Sequence, residues 1–262
     1  MAVKATSLAA PLCRRAPRRS GAATDEHVYG DGWDTVHEGY FSNRAAARPL
    51  VAAVCKTIAT RRPDAVVDLG GGTGFVLQQI LQTGISEKVR LINLDASPAQ
   101  LAAINHHHIE QLHKSVEDFR RRDLRARGPV LFVMRSVLHY AGRDGLVPFL
   151  RRIRSQMRAG EIFIHQTVCF DSARDAAIAN RVYAFTGAGK WLPTTRELRA
   201  ALDAARLPSR RVARPAPPLP LTAEEVARRY RFDAATTKRV EVIFAGWARP
   251  ELPYRIFVSV AC

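Results

Sequence analysis

A chain of 262 residues, 47% apolar and 24% charged, has enough material for one α/β domain with a modest cap, and no apolar run approaches the ~18 residues that cross a bilayer. Four cysteines, none in a Cys-x-x-Cys pair, exclude a disulfide framework and a zinc ribbon; they fit a reducing, cytoplasmic compartment. The formal net charge of +16 rests on 34 arginines and six lysines, which favours anionic partners, but the arginines are spread along the chain as solvated helix faces and loops are.

Residues 1–24 carry Lys4, Arg14, Arg15, Arg18 and Arg19 and no acid. They read as a disordered basic tail, with an organelle transit peptide as the alternative. Order is expected from about Asp25, and residues 25–262 form a single domain. The stretch 29–41 is rich in aromatics and glycine and too irregular for one long helix. A helix then runs to about Thr60, with Leu50, Val51, Val54 and Ile58 on one face. Asn43 is a good cap for it, although Pro49 fits better at a first helical position; Pro63 ends it. Residues 25–60 are therefore expected to form an N-terminal helical lid.

From there strands and helices alternate. Residues 65–69 and 89–94 are apolar strands, and 75–82 is a helix stopped by Gly84. Ser97-Pro98 opens a helix, a short third strand ends near Ser115, and 129–134 is the fourth strand. An amphipathic helix at 144–157 turns Leu146, Phe149, Leu150 and Ile153 inward, Gly160 ends it, and 161–168 is the fifth strand. This is the signature of a doubly wound, Rossmann-like α/β fold with helices on both faces of a mostly parallel sheet. Right-handed crossovers put all strand carboxyl ends on one edge, where ligands bind. Beyond Cys169, helices are expected at about 174–185 and 195–205. The five prolines in 208–220 leave room for at most an edge strand and a loop. Thr222-x-x-Glu225 reads as a capping box for a helix to about Tyr230, and 254–260 is the final strand. Residues 61–168 form the core, and 169–262 form a small cap and the last strands.

The chemistry concentrates in Val66-Val67-Asp68-Leu69-Gly70-Gly71-Gly72-Thr73-Gly74, with Asp95 closing a second apolar run 21 residues after Gly74. Glycines after a strand let the backbone turn sharply and let a ligand come closer than a Cβ allows. The layout is a cradle for a nucleoside-containing cofactor, with a carboxylate for the ribose. A dinucleotide site needs G-x-G-x-x-G, and Phe75 and Leu77 stand where the third glycine would be.

These residues resemble the first motif of class I S-adenosylmethionine-dependent methyltransferases. Leu91-Ile-Asn-Leu-Asp95 is similar to that family's second strand, Ser115-Val-Glu-Asp-Phe119 to its adenine-reading segment, and 130–140 to its fourth strand and following loop. Met157-Arg-Ala-Gly-Glu-Ile-Phe163 resembles its turn into strand five, with Ala159 and Glu161 replacing a proline and a glycine. The resemblance spans about residues 49–168. It implies a seven-stranded sheet with a reversed seventh strand at 254–260 and S-adenosyl-L-methionine as the cofactor. Gly70, Gly72 and Gly74 would line the methionine and ribose side, and Asp68 would orient the turn. Asp95, followed by Ala96, would take the ribose, and Asp118 and Phe119 the adenine. Arg135 or Ser136 would approach the methionine moiety, and Tyr40 with Phe41 would form a lid.

Methyl transfer is an in-line displacement, so a base is needed only when the nucleophile must lose a proton. His139 and Tyr140 after strand four, and His165 and Gln166 on strand five, are the candidates at the strand ends, a His there being able to act as a base, with His139 favoured; Tyr183 and Trp191 are candidates for an acceptor cap. His106, His107, His108 and His113 lack acidic or cysteine partners at ligand spacing, so no metal is expected. The expected acceptor is a small molecule modified at oxygen, nitrogen or carbon, with the protein a monomer or homodimer and off the membrane. RNA or protein is the alternative acceptor, favoured by the charge but opposed by the missing Asn/Asp-Pro-Pro-Tyr/Phe motif after strand four.

Overall fold

The computed structural model describes residues 39–84 and 89–262; the expected tail at 1–24 and the start of the lid at 25–38 lie outside the described residues. Nine strands are present among them: β1 (Ala65–Leu69), β2 (Arg90–Asp95), β3 (Ile109–His113), β4 (Val130–Arg135), β5 (Ile162–Val168), β6 (Ser209–Arg211), β7 (Leu219–Pro220), β8 (Glu251–Leu252) and β9 (Tyr254–Val260). The helices are α1 (Arg44–Arg61), α2 (Phe75–Leu81), α3 (Pro98–Ala102), α4 (Gly142–Ser155), α5 (Ala173–Ala184), α6 (Thr195–Ala204), α7 (Ala223–Tyr230) and α8 (Ala234–Ala245).

Seven strands form one sheet in the order β3-β2-β1-β4-β5-β9-β6, and β7 and β8 pair separately. β1 to β5 are parallel, whereas β9 runs antiparallel to β5 and β6. The strand order steps outward from β1 in both directions, so the carboxyl ends of β1 and β4 flank the topological switch point. The sheet is covered on both faces, which is why β1, β4 and β5 are buried along their whole length. On one face, Val67, Phe132 and Phe163 pack under α4 and α6 through Leu146, Leu150, Ile153, Leu198 and Leu202. On the other, Val66, Leu131 and Ile164 pack under α1 and α2 through Leu50, Val54, Leu77 and Ile80. A third apolar cluster, at the carboxyl edge, joins Tyr40 and Tyr254 to α5, α7 and α8. This cluster is the cap.

Local signals explain most boundaries. Asn43, not Pro49, caps α1: its Oδ1 accepts from the N–H groups of Ala45 and Ala46 at 2.8 and 3.2 Å, and Pro49 lies inside the helix. Ser97 caps α3 with Pro98 at its first position, as the dipeptide predicts. Helix α4 starts two residues before the expected Asp144, because it continues directly from a short 3₁₀ turn at Leu138–Ala141. Helix α8 is absent from the sequence reading. Its one buried residue is Val240, so it has no apolar stripe to betray it. No helix among the described residues is long and apolar enough to cross a membrane.

Candidate functional site

The glycine turn begins where β1 leaves the sheet. Gly70, Gly72 and Gly74 all have positive φ, at 71°, 56° and 74°. The turn is tied to β2 by the amides of Gly70 and Gly71, which donate to the Leu94 carbonyl at 2.7 and 3.2 Å. Asp95 ends β2 and closes the loop: Oδ2 accepts from Gly72 N–H at 2.8 Å and Oδ1 from Ser97 N–H at 2.8 Å. Asn93 supports the turn from below, donating from Nδ2 to the Gly72 carbonyl at 2.8 Å.

Gly71, which the alternating glycine pattern passes over, has the least room of the four. A Cβ there would sit 2.1 Å from Asn93 Oδ1 and 2.8 Å from Asp68 Oδ2. Asn93, which supports the turn, is likewise passed over by spacing. The parallel register Asp68↔Asn93 puts both side chains on the same face, under the turn.

Asp68 is fully buried, and neither carboxylate oxygen has a hydrogen-bond partner among the described residues. Burial pushes its pKa up to about 7; the Arg135 charge opposes the rise and Asp95 adds to it. Arg135 ends β4 on that face. Its Nη1 donates to the Phe41 carbonyl at 2.7 Å and Nη2 to the Tyr40 carbonyl at 3.3 Å. The guanidinium carbon lies 5.8 Å from the Tyr40 ring centre, 5.4 Å from Phe41 and 5.8 Å from Phe75. Burial lowers the Arg135 pKa from its ordinary value. The Tyr40 hydroxyl in turn donates to the Pro217 carbonyl at 2.6 Å, and its ring stacks on Tyr254 with centroids 5.2 Å apart. Residues 40 and 41 thus form a strap over the carboxyl edge, held by Arg135 below and by the cap above.

Past β4, Ser136 adopts φ 60°, a left-handed conformation uncommon for serine, and its buried Oγ has no partner among the described residues. Val137 then leans over Gly70, and Leu138–Ala141 form the 3₁₀ turn. This turn presents His139 and Tyr140, with ring centroids 4.1 Å apart. The His139 carbonyl accepts from Trp191 N–H at 3.0 Å, which fastens the turn to the cap. There Lys190 donates to the Tyr230 hydroxyl at 2.9 Å, and its ammonium lies 5.3 Å from the Tyr140 ring centre, 5.5 Å from Tyr183 and 5.4 Å from Tyr230. Tyr183 therefore belongs to the cap beside the turn. Trp191 packs on the α4–α6 side, with Arg143 over its ring.

The outer expected contacts are also at this edge. Ala96 is exposed, and its carbonyl lies 3.0 Å from His113 Nε2. Asp118 is exposed and accepts from Ser115 Oγ at 2.6 Å, while its own N–H donates back to that oxygen. Phe119 departs from expectation: it is wholly buried in the α4-side core, its N–H donates to the Ser115 carbonyl and its carbonyl accepts from Arg152 Nη2. His165 departs further. It is buried in β5 between Phe163 and Phe257, with ring centroids at 4.8 and 5.5 Å. Burial holds its pKa down at about 3. A strand buried on both faces hides which way each side chain points, and His165 points into the core, opposite to Arg135. Gln166, its neighbour, faces the site. The histidines at 106–108 gather no metal set: among the described residues no group of three or more His, Cys, Asp or Glu is placed to hold a metal ion.

No family model and no curated protein matches the chain. Solved structures do. The chain is similar to YcgJ of Bacillus subtilis, with 13% identity and a TM-score of 0.61 over 81% of this chain and 98% of that one. It is also similar to 1,6-didemethyltoxoflavin-N1-methyltransferase of Burkholderia thailandensis, solved with 1,6-didemethyltoxoflavin and S-adenosylhomocysteine. There the identity is 19% and the TM-score 0.55 over 97% of this chain and 93% of that one. A putative methyltransferase of Haloferax volcanii, solved in complex with the Trm112 activator, gives 15% identity and a TM-score of 0.55 over 94% and 99%. At these identities the likeness establishes architecture. The fold is that of the class I S-adenosylmethionine-dependent methyltransferases.

Proposed function

We propose that this chain transfers a methyl group from S-adenosyl-L-methionine to a small-molecule acceptor, at oxygen, nitrogen or carbon. The observation that carries the reading is the closed loop from Asp95 to Gly72 at the switch point of a methyltransferase sheet, with the buried Asp68 carboxyl beneath Gly71. The residues present fit the cofactor. A carboxylate has about four acceptor sites, so Asp95 can keep its two backbone bonds and accept ribose hydroxyls as well. Asp68 brings two buried oxygens in need of a donor, as a cationic amino group or its water would supply. Asp118, exposed at the carboxyl edge, is the group we assign to the adenine amino group.

When bound, S-adenosyl-L-methionine supplies an electrophilic methyl on a sulfonium that is its own leaving group. The protein's part is then alignment and exclusion of water. The strap at Tyr40 and Phe41, pinned by Arg135, closes the carboxyl edge with apolar rings. His139 and Tyr140 lie beside it on the turn after β4, where a base for a hydroxyl acceptor belongs; His165, neutral and enclosed by phenylalanines, takes no part. The likeness to 1,6-didemethyltoxoflavin-N1-methyltransferase, solved with 1,6-didemethyltoxoflavin bound, supports a small acceptor over a macromolecule. The second reading, RNA or protein methylation, is favoured by the net charge of +16. It predicts nucleic-acid binding that weakens steeply as salt rises.

Calorimetric titration with S-adenosylhomocysteine tests the cofactor site. Wild-type protein should bind it, and Asp95→Ala should lose at least about tenfold in affinity, since two ribose hydrogen bonds to a carboxylate are worth roughly 1.5–3 kcal/mol each. Equal affinities, or saturable uptake of a nicotinamide dinucleotide instead, would reject the site. Turnover with labelled donor on a metabolite panel then identifies the acceptor.

A further inference from the structure

We propose that Gln166 is the group that recognises the acceptor, and that the acceptor is a flat molecule presenting a carbonyl beside an N–H, a cis-amide edge. The inference rests on the methyl-transfer reading and narrows it to a substrate class. Gln166 is wholly buried near the carboxyl end of β5, and both of its amide atoms, Nε2 and Oε1, lack a partner among the described residues. A buried amide left without partners is costly, and such a group persists where function requires it. The parallel register Arg135↔Gln166 and the antiparallel register Gln166↔Ile256 put its side chain on the face of Arg135, the face the strap covers.

Two residues further along that face, Val168 pairs with Tyr254, whose ring stacks on Tyr40. The Tyr40–Tyr254 stack therefore stands two residues from a small polar set. Gln166 offers one acceptor oxygen and one amide donor side by side. Arg135 adds further donors, since only two of its five N–H groups bond the strap carbonyls and Nε has no partner among the described residues. An edge that donates through N–H and accepts through the neighbouring carbonyl matches the glutamine pair, and a planar ring suits packing beside the tyrosine stack. Access requires residues 40 and 41 to lift from Arg135. Gly39, at φ 75°, supplies a joint for that movement.

The test uses the full-length protein, with and without saturating S-adenosylhomocysteine. Uracil, xanthine and carbostyril are lactam probes of three sizes, and dimethyluracil, caffeine and N-methylcarbostyril are their donor-blocked counterparts. Wild type should bind at least one lactam at least about tenfold tighter than its methylated counterpart. Gln166→Met, similar in length but without the amide, should abolish that preference and leave S-adenosylhomocysteine affinity within about twofold. Gln166→Leu is the second variant if the first fails to fold, and it too should lose the preference, since it offers neither a donor nor an acceptor. Retained preference in the folded variant, or a wild type that binds no lactam better than its counterpart, overturns the proposal. Failure of wild type to bind S-adenosylhomocysteine is a separate result: it removes the methyl-transfer reading, while the lactam comparison without it still decides whether Gln166 reads a cis-amide.

Discussion

Asp68 shows most sharply what this fold asks of one side chain. It is a carboxyl enclosed beneath a glycine turn, with partial charge relief from Arg135 and none from hydrogen bonds among the described residues. Its pKa of about 7 when folded lies above the ordinary carboxylate value, so the folded state holds the proton more tightly than the unfolded one. The stability this contributes is complete below about pH 4 and is lost as pH rises through 7. Asp68→Asn, which keeps the shape without the ionisation, should therefore be more stable than wild type at pH 8, by up to about 4 kcal/mol, with the gap narrowing at pH 5. Urea denaturation at the two pH values measures this, and a gap independent of pH would show that Asp68 does not ionise in this range. The glycines and Asp95 are legible in the sequence because their roles depend on spacing along the chain. Asn93 is not, because its role depends on which sheet face it shares, and a strand apolar on both faces gives no parity to read; for Asp68 and Gln166 the residue type and strand position are legible, but the shared face is not. That is also why His165 and Arg135 look equally near the edge until the register separates them.

At the scale of elements, caps are the readable signals and continuity is not. Asn43, Ser97 and Thr222 each accept a backbone N–H at a helix start, and each is visible as a residue type. The 3₁₀ turn running into α4 has no such cap, so its start is set by the chain coming off β4 rather than by a local signal. Helix α8 holds β-branched Thr236, Thr237, Val240, Val242 and Ile243, which reads as weak helix and weak strand alike; packing of Val240 in the cap decides it. Helix α4 also carries an uncompensated defect. Pro148 lies in its interior and is exposed, so it removes one intrahelical hydrogen bond without filling the core. Pro148→Ala should stabilise the protein by about 1–3 kcal/mol, after allowance for the freer unfolded chain. A thermal midpoint at or below wild type would mean that the helix already absorbs the proline as a bend its packing needs.

Across the whole molecule, function and stability are assigned to opposite edges of the sheet. The carboxyl edge holds Asp68 and Gln166, unpartnered among the described residues, and a strained serine, whereas the amino edge carries a dense side-chain network around Glu161. Glu161, in the turn into β5, forms two bonds with Arg121 at 2.5 and 2.7 Å. It also accepts the backbone N–H groups of Val130 at 2.7 Å and Arg158 at 2.8 Å. One side chain thus ties the start of β4, the start of β5 and the 3₁₀ turn at Arg121–Leu124, which gives this glutamate a structural role. With Glu161 only 3% exposed and Arg121 19%, the pair is largely desolvated, and removing one member leaves the other partly buried without its counter-charge. Glu161→Ala should cost about 3–5 kcal/mol in urea denaturation. The strands separate this staple from the ligand edge by roughly 17 Å at ~3.3 Å per residue. S-adenosylhomocysteine affinity, measured below the variant's unfolding midpoint, should therefore match wild type. A variant that keeps its stability would reduce the staple to a surface-like pair. One that folds stably yet loses ligand affinity would show that the two edges are coupled through β4 and β5, and the division of labour across the sheet would fail.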